Sequence, residues 1–196
     1  MAVSLQLLGL PFEHRALSVF RDFEQFQRIN PLVKAPTLIC DDGTVLMDST
    51  LILEFAECLA APTKSLMPAD IAERQQALRV IGLGLAACEK SVQIIYEREL
   101  RPAEKQHQPW LERVSGQLLA AFAALEAELR RRPPTADRID QAGITTAVAW
   151  QFSRAMTAEL LDDARFPTLQ QFSEQAERLP AFAAAPHGLG TYPVVC

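Results

Sequence analysis

"INPLVKAPTLICDDGTVLMDST", from Ile29 to Thr50, is the stretch whose reading decides the fold. Pro36 heads an apolar run, Thr37-Leu38-Ile39-Cys40, that otherwise reads as a strand. Proline supplies no ladder N–H, so sheets hold it mainly at edges, first positions or bulges. Asp41-Asp42-Gly43 follows, with residues that tolerate the backbone angles of a tight turn, and then Thr44-Val45-Leu46-Met47. One reading is a first-position proline opening a hairpin. The sharper one is that its ring, and the backbone just before it, shape a ligand site.

Met47-Asp48-Ser49-Thr50 looks like a helix start with Asp48 or Ser49 as N-cap. A hairpin brings the start of its first strand close to the end of its second, so this helix start falls near Pro36. A helix N-terminus presents unpaired N–H groups and a positive dipole end, which suit a carboxylate. Ser49 adds a hydroxyl, and Asp48 adds a charge for an ammonium, so an amino-acid head group would satisfy both. The plainer alternative is an ordinary cap worth about 0.5–2 kcal/mol, and the two readings are compatible. The Ala35–Pro36 bond is open in the same way, since only about 5–6% of X-Pro bonds are cis in folded proteins. A cis bond would turn the Ala35 backbone outward to pair with an extended peptide-like ligand. Lys34 could then meet a second carboxylate, against the plain reading of a solvated lysine.

On the N-terminal side, Ala2 to Leu8 is helix-like, with Val3, Leu7 and Leu8 on one face and Gly9-Leu10-Pro11 ending it. "FEHRALSV" predicts a short strand, and "RDFEQFQRIN" an irregular loop or short helix. Downstream, Leu51, Ile52, Phe55 and Leu59 recur at helical spacing up to Ala60-Ala61-Pro62. "APTKSLMPAD" carries two prolines without periodicity and reads as a linker. Helical patterns fill the rest. The first runs from Ile71 to Leu100 with Gly82 and Gly84 inside it, glycines that close packing against a neighbour would explain. A second carries Trp110, Val114, Leu118, Phe122, Leu125 and Leu129 and ends at Pro133-Pro134. A third starts near Asp140 with Ile144, Val148, Phe152 and Ala155. A fourth follows Pro167 with Leu169, Phe172 and Ala176, and a short piece follows Pro180. "HGLGTYPVVC" reads as loop. The expected organisation is a mixed α/β domain over 1–61, a linker over 62–69 and an all-helical domain over 70–196.

The chain has 196 residues, 49% hydrophobic and 22% charged, with a net charge of −5. That is an ordinary globular composition, and the negative balance argues against non-specific nucleic-acid binding, which needs cations for phosphate. The run Arg130-Arg131-Arg132 reads as cations at the negative end of a helix dipole. Cys40, Cys58, Cys88 and Cys196 form no CxxC pair and no metal cluster with the three histidines. They read as reduced thiols, three of them buried, in a cytoplasmic protein. No run is long enough to span a bilayer. The opening "MAVSLQLLGLP" lacks the cationic start and the cleavage site of a signal peptide.

"NPLVKAPTL", "DDGTVLMDSTLILEF", the proline-rich linker and the helical half together resemble the cytosolic glutathione transferase family in a bacterial version. The resemblance in element order covers nearly the whole chain. Its most specific part is the proline-led strand followed, after a hairpin, by an acidic-Ser helix start. It implies an α+β fold: a thioredoxin-like N-terminal domain, then an all-helical one. It also implies a cis Pro36, Ala35 holding the cysteinyl backbone of glutathione, and Asp48 and Ser49 holding its γ-glutamyl head, with Lys34 a looser candidate for the glycyl carboxylate. The implied co-substrate is glutathione, with no metal, no nucleic acid and no membrane. The implied partner is a small apolar electrophile, and the implied assembly a homodimer. Tyr96, on the long helix, is a candidate for the second-substrate pocket, an ordinary packed aromatic being the alternative.

Two departures stand out. Where the family's third C-terminal helix opens with a cap and an acid three positions on, this chain has "DQAG", with Gly143 in the acid's place. The family also begins with a β-strand and a turn bearing the catalytic Ser, Tyr or Cys. Here Met1-Ala2-Val3 already matches the first helix, and Ser4 sits in the helix body, so the activating residue is unknown. We expect the complete form to carry residues upstream. Glutathione conjugation and a non-enzymatic binding or interaction role both remain open.

Overall fold

The computed structural model describes residues 1–133 and 139–186. Those residues fold as two compact units, Met1–Leu66 together with the stretch that opens at Pro180, and Met67–Leu179. The tail from His187, Pro134 and Cys196 lie outside the described residues.

In the first unit, α1 (Ala2–Leu8) closes at Gly9, whose φ of 74° is the left-handed cap conformation that favours glycine. Its buried side is Val3, Leu5 and Leu8; Leu5 takes the place expected of Leu7. The helix α2 (Phe23–Ile29) fills the stretch read as loop or short helix. Strands β1 (Thr37–Ile39) and β2 (Val45–Met47) form an antiparallel hairpin in which Thr37 faces Met47 and Ile39 faces Val45. Its turn closes with Cys40 and Gly43 N–H donations of 2.9 Å to Thr44 and Cys40 carbonyls, Gly43 supplying φ of 85°. The strand expected at "FEHRALSV" is absent. A strand exists only where a ladder partner meets its N–H and C=O groups, and the sheet pairs β1 with β2 alone among the described residues. Leu17 instead donates locally to the Arg15 carbonyl.

Helix α3 (Ser49–Leu59) buries Ile52 and Ala56. Leu51, Phe55 and Leu59, expected on the same inner face, are exposed, Leu51 and Leu59 at 59%. The two rows are adjacent on one helix, and apolar spacing marks both; contact with α1 and β2 selects the row that turns inward. Glu57 then accepts from Ser65 Oγ (2.7 Å) and the Leu66 N–H (2.9 Å), pinning the chain after the helix. The short α8 (Pro180–Ala183) packs on α1 in this unit, where the sequence reading carried the helical half on to the C-terminus.

The second unit is a bundle of α4 (Ile71–Glu99), α5 (Gln108–Arg131), α6 (Gln141–Thr157) and α7 (Pro167–Glu177). Its centre is an aromatic cluster in which Trp150 meets Phe122 and Phe166 edge-on, with centroids 5.1 and 5.7 Å away. The α5 face is as read, except that Leu111 is buried and Trp110 is 37% exposed. On α6 the buried row runs through Ile144, Ala147 and Trp150, whereas Val148 and Ala155 are exposed and Phe152 is half-buried. Small Ala142, Ala147 and Ala149 make α6 an inner helix, so apolar size alone pointed to the wrong row. Gly143 has its own reason: a Cβ there would lie 2.8 Å from Ile139 Cγ1 and 3.2 Å from Phe172 Cζ. Asp140 still caps the helix, accepting from the Gly143 N–H at 2.8 Å.

Of the described cysteines none is fully buried, contrary to expectation: Cys58 is exposed, and Cys40 and Cys88 are intermediate. Burial pushes the Cys88 thiol up to about 11. No described helix is long and apolar enough to cross a membrane.

Buried carboxylates tie the bundle together. Glu128 on α5 accepts from Gln76 Nε2 (2.6 Å) and Arg79 Nε (2.9 Å) of α4, and pairs with Arg131. Glu126 accepts from the Thr168 and Leu169 N–H groups at 3.1 and 2.8 Å, capping α7 from another helix.

Two predictions follow from this packing. Gly84 lies 2.9 Å, at a built Cβ, from Thr145 Cγ2 of α6, whereas nothing approaches Gly82 within 4 Å. Gly84→Ala should therefore destabilise by about 1–3 kcal/mol through overpacking, while Gly82→Ala should stabilise by roughly 0.5–1 kcal/mol; urea unfolding reads both signs. Arg79, followed by Arg131, holds the Glu128 carboxyl down to about 2, against an ordinary 4.5. A depressed folded pKa stabilises fully above the unfolded value and loses that contribution as pH falls through the folded one. Glu128→Gln should cost about 1–3 kcal/mol at pH 7. That gap should close between pH 4.5 and about 2, as followed by unfolding midpoints of both proteins.

Candidate functional site

The site grows from the hairpin register. The ladder ends with Thr37 facing Met47, so the Lys34-Ala35-Pro36 stretch before β1 and the Asp48-Ser49 start of α3 lie at the same end of the hairpin. The Ala35–Pro36 peptide is cis. Lys34 Nζ lies 3.1 Å from Asp48 Oδ2, with side chains 52% and 40% exposed. The five residues singled out in the first unit, Lys34, Ala35, Pro36, Asp48 and Ser49, therefore meet at one end of the hairpin. Tyr96 belongs to the second unit, on α4, and is 45% exposed.

Asp48 has two tasks. As N-cap of α3 its Oδ1 accepts from the Thr50 N–H at 3.0 Å, and its other oxygen meets Lys34. The Lys34 ammonium, then the Thr50 N–H, hold its carboxyl below the usual carboxylate range. Its φ of 76° with ψ of 124° lies outside the left-handed helical region and is rare for a residue with a side chain. The Ser49 and Leu51 N–H groups belong to the first turn, which has no carbonyl four residues back to receive them. Together they offer donors for a carboxylate beside an acidic oxygen for an ammonium.

The loop that presents Lys34 and Ala35 is built on Asn30, which the sequence reading did not single out. Asn30 is 1% exposed. Its Oδ1 accepts from the Leu32 N–H (3.0 Å), and its Nδ2 donates to Thr37 Oγ1 (2.9 Å). Thr37 Oγ1 in turn donates to the Lys34 carbonyl at 2.7 Å. The Asn30 carbonyl also receives the Val33 N–H at 2.8 Å, across a Val33 whose φ is 48°. Such a value is an outlier for a β-branched residue, and these bonds on both sides over-determine it. The available signal was the Asn30-Pro31 dipeptide, a turn former.

No group of three or more His, Cys, Asp or Glu that could hold a metal occurs among the described residues. A depression of about 570 Å³ in the second unit, lined by Glu126, Arg130, Arg131, Arg165 and Phe166 among others, shares no residue with this site.

Residues 1–64 match the family described as glutathione S-transferase, N-terminal domain. Glutathione S-transferase 1 of Dianthus caryophyllus is 27% identical, over 88% of this chain and 78% of that protein. Among solved structures, a glutathione S-transferase of Methylobacterium radiotolerans in complex with glutathione sulfonate superposes with a TM-score of 0.86. It is 27% identical, and the match covers 100% of this chain and 92% of that one. A glutathione transferase family member from Pseudomonas fluorescens Pf-5 with bound glutathione gives a TM-score of 0.81 at 28% identity, covering 93% and 90%.

Asn30→Ala should cost about 1–3 kcal/mol, because it strips partners from a buried network. Hydrogen exchange should show the Leu32 amide losing protection. Asn30→Asp, which keeps the acceptor for Leu32 but not the donor for Thr37, should retain that protection.

Proposed function

This chain belongs to the glutathione S-transferase family, and on that footing we propose that it binds glutathione at the end of its hairpin and joins the thiol to a small apolar electrophile. The observation that carries the proposal is the placement of Asp48 and Ser49 at the start of α3, at the hairpin end where Ala35 and Pro36 enter β1, with Lys34 Nζ 3.1 Å from Asp48 Oδ2. In this reading Ser49 and the first-turn N–H groups take the γ-glutamyl carboxylate, and Asp48 takes its ammonium. The Ala35 backbone pairs with the cysteinyl unit in strand fashion. Lys34 takes the glycyl carboxylate. Relatives solved with glutathione and glutathione sulfonate support the ligand class.

In the conjugation step the thiol loses its proton to solvent, its sulfur bonds to the electrophilic carbon, and the leaving group departs with the bonding pair. A free thiol near pKa 8.5 is only partly ionised at neutral pH, so a neighbouring donor that favours the thiolate raises the rate. Tyr96 is proposed to line the electrophile's pocket. A cytoplasmic homodimer is proposed on family grounds alone.

Ser4 favours a second reading, a binding protein of this fold without turnover. It is the hydroxyl on α1, and it is wholly buried in the helix body.

Calorimetric titration with glutathione tests the first half. Asp48→Asn keeps the helix cap and removes the charge. It should weaken glutathione by about tenfold or more, the scale of a lost charge-assisted bond. Unchanged affinity would exclude this site. Release of chloride from 1-chloro-2,4-dinitrobenzene, followed as the coloured thioether, separates turnover from binding alone.

A further inference from the structure

The contact between Lys34 and Asp48 poses a conflict for any ligand that uses both. Asp48 Oδ2 already holds Lys34 Nζ at 3.1 Å, and it is the oxygen not engaged by the helix cap. A γ-glutamyl ammonium arriving at Asp48 competes with that lysine for the same oxygen. The far carboxylate of an extended tripeptide lies roughly 10 Å away, at about 3.3–3.6 Å per residue. Asp48 has acceptor sites to spare, but a Lys34 that takes the far carboxylate must leave Asp48, and the ligand's ammonium is then the cation that replaces it there.

Resting on the glutathione reading above, we propose that Lys34 is a selectivity residue that makes the site discriminate for the charge at the far end of the ligand. Its ammonium neutralises Asp48 in the ligand-free protein. A γ-glutamyl thiol that ends in a carboxylate gives the displaced lysine a new partner. One whose far end is uncharged displaces the lysine and offers nothing in return. The pair is half-exposed, so the competition is modest in size, which suits a filter rather than a block.

The probes are glutathione and its monoethyl ester, which is esterified on the glycyl carboxylate and otherwise identical. Both are titrated calorimetrically into the full chain and into Lys34→Met, which keeps the aliphatic stem. The unmodified protein should prefer glutathione to the ester. Lys34→Met should bind the ester about two- to fivefold more tightly than the unmodified protein does, the scale of one exposed ion pair, and should lose most of the preference. Ester affinity that is unchanged or lower in Lys34→Met overturns the proposal, since a lysine that only receives the glycyl carboxylate would leave the ester unaffected. Lys34→Gln serves as a second variant, with melting temperatures confirming that each folds. Asp48→Asn separates the two levels of the argument. If it leaves glutathione binding untouched, the site assignment fails and the proposal falls with it. If it weakens both ligands while Lys34→Met leaves the ester unchanged, the site stands and only the exchange is wrong.

Discussion

The antiparallel register of β1 against β2 is the constraint on which the candidate site depends. Three residue pairs suffice to set it, because strand side chains alternate with period two and a one-residue slip would send every side chain to the opposite face. The Asp41-Asp42-Gly43 turn pins that register locally, with Gly43 in a conformation that residues with side chains rarely adopt and Asp42 Oδ1 accepting from the Thr44 N–H at 2.9 Å. With the register held, Pro36 and the start of α3 lie at the same end of the hairpin. So short a hairpin buries little by itself. The support comes from Asn30, whose side chain holds both the loop before Pro36 and the first residue of β1.

The helical unit solves a different problem. Its aromatic centre is joined by a close approach of α4 to α6 at Gly84, and its buried carboxylates sit at helix ends and crossings. Glu97 accepts from the His107 N–H at 2.8 Å and so joins the end of α4 to the start of α5. Glu126 caps α7, and Glu128 bridges α5 to α4. A buried carboxylate is costly unless its oxygens are satisfied, and each of these meets at least two donors. The same residues account for Arg130 and Arg131. These are partners of buried acids at a helix end, in keeping with the dipole reading of that basic run.

Legibility in the sequence varied with the range of the determining interaction. A cap at Asp48 or Ser49, the Asp-Asp-Gly turn, the bounds of α4 and the start of α7 were readable because a few neighbouring residues settle them. The inner rows of α3 and α6 were not. Leu51-Phe55-Leu59 and Ile52-Ala56 are both apolar rows, and Val148 is larger than Ala147, yet the smaller residues are the ones turned inward. Close packing favours small side chains where helices approach, so bulk is a poor guide to burial on an inner helix. The strand expected at "FEHRALSV" failed for a related reason, since a strand needs a partner that its own residues do not specify.

By itself the sequence determined the order of the hairpin and the main helices, the turn and the caps, because propensity, capping and spacing act over a few residues. Only the tertiary structure decided which apolar rows face inward, why Gly84 and Gly143 are glycines, that Asn30 anchors the loop before Pro36, and that Lys34 rests on Asp48. Each of these depends on an atom brought close by a residue distant in sequence or by the course of a loop. Such distances are set by packing and cannot be read from any one stretch.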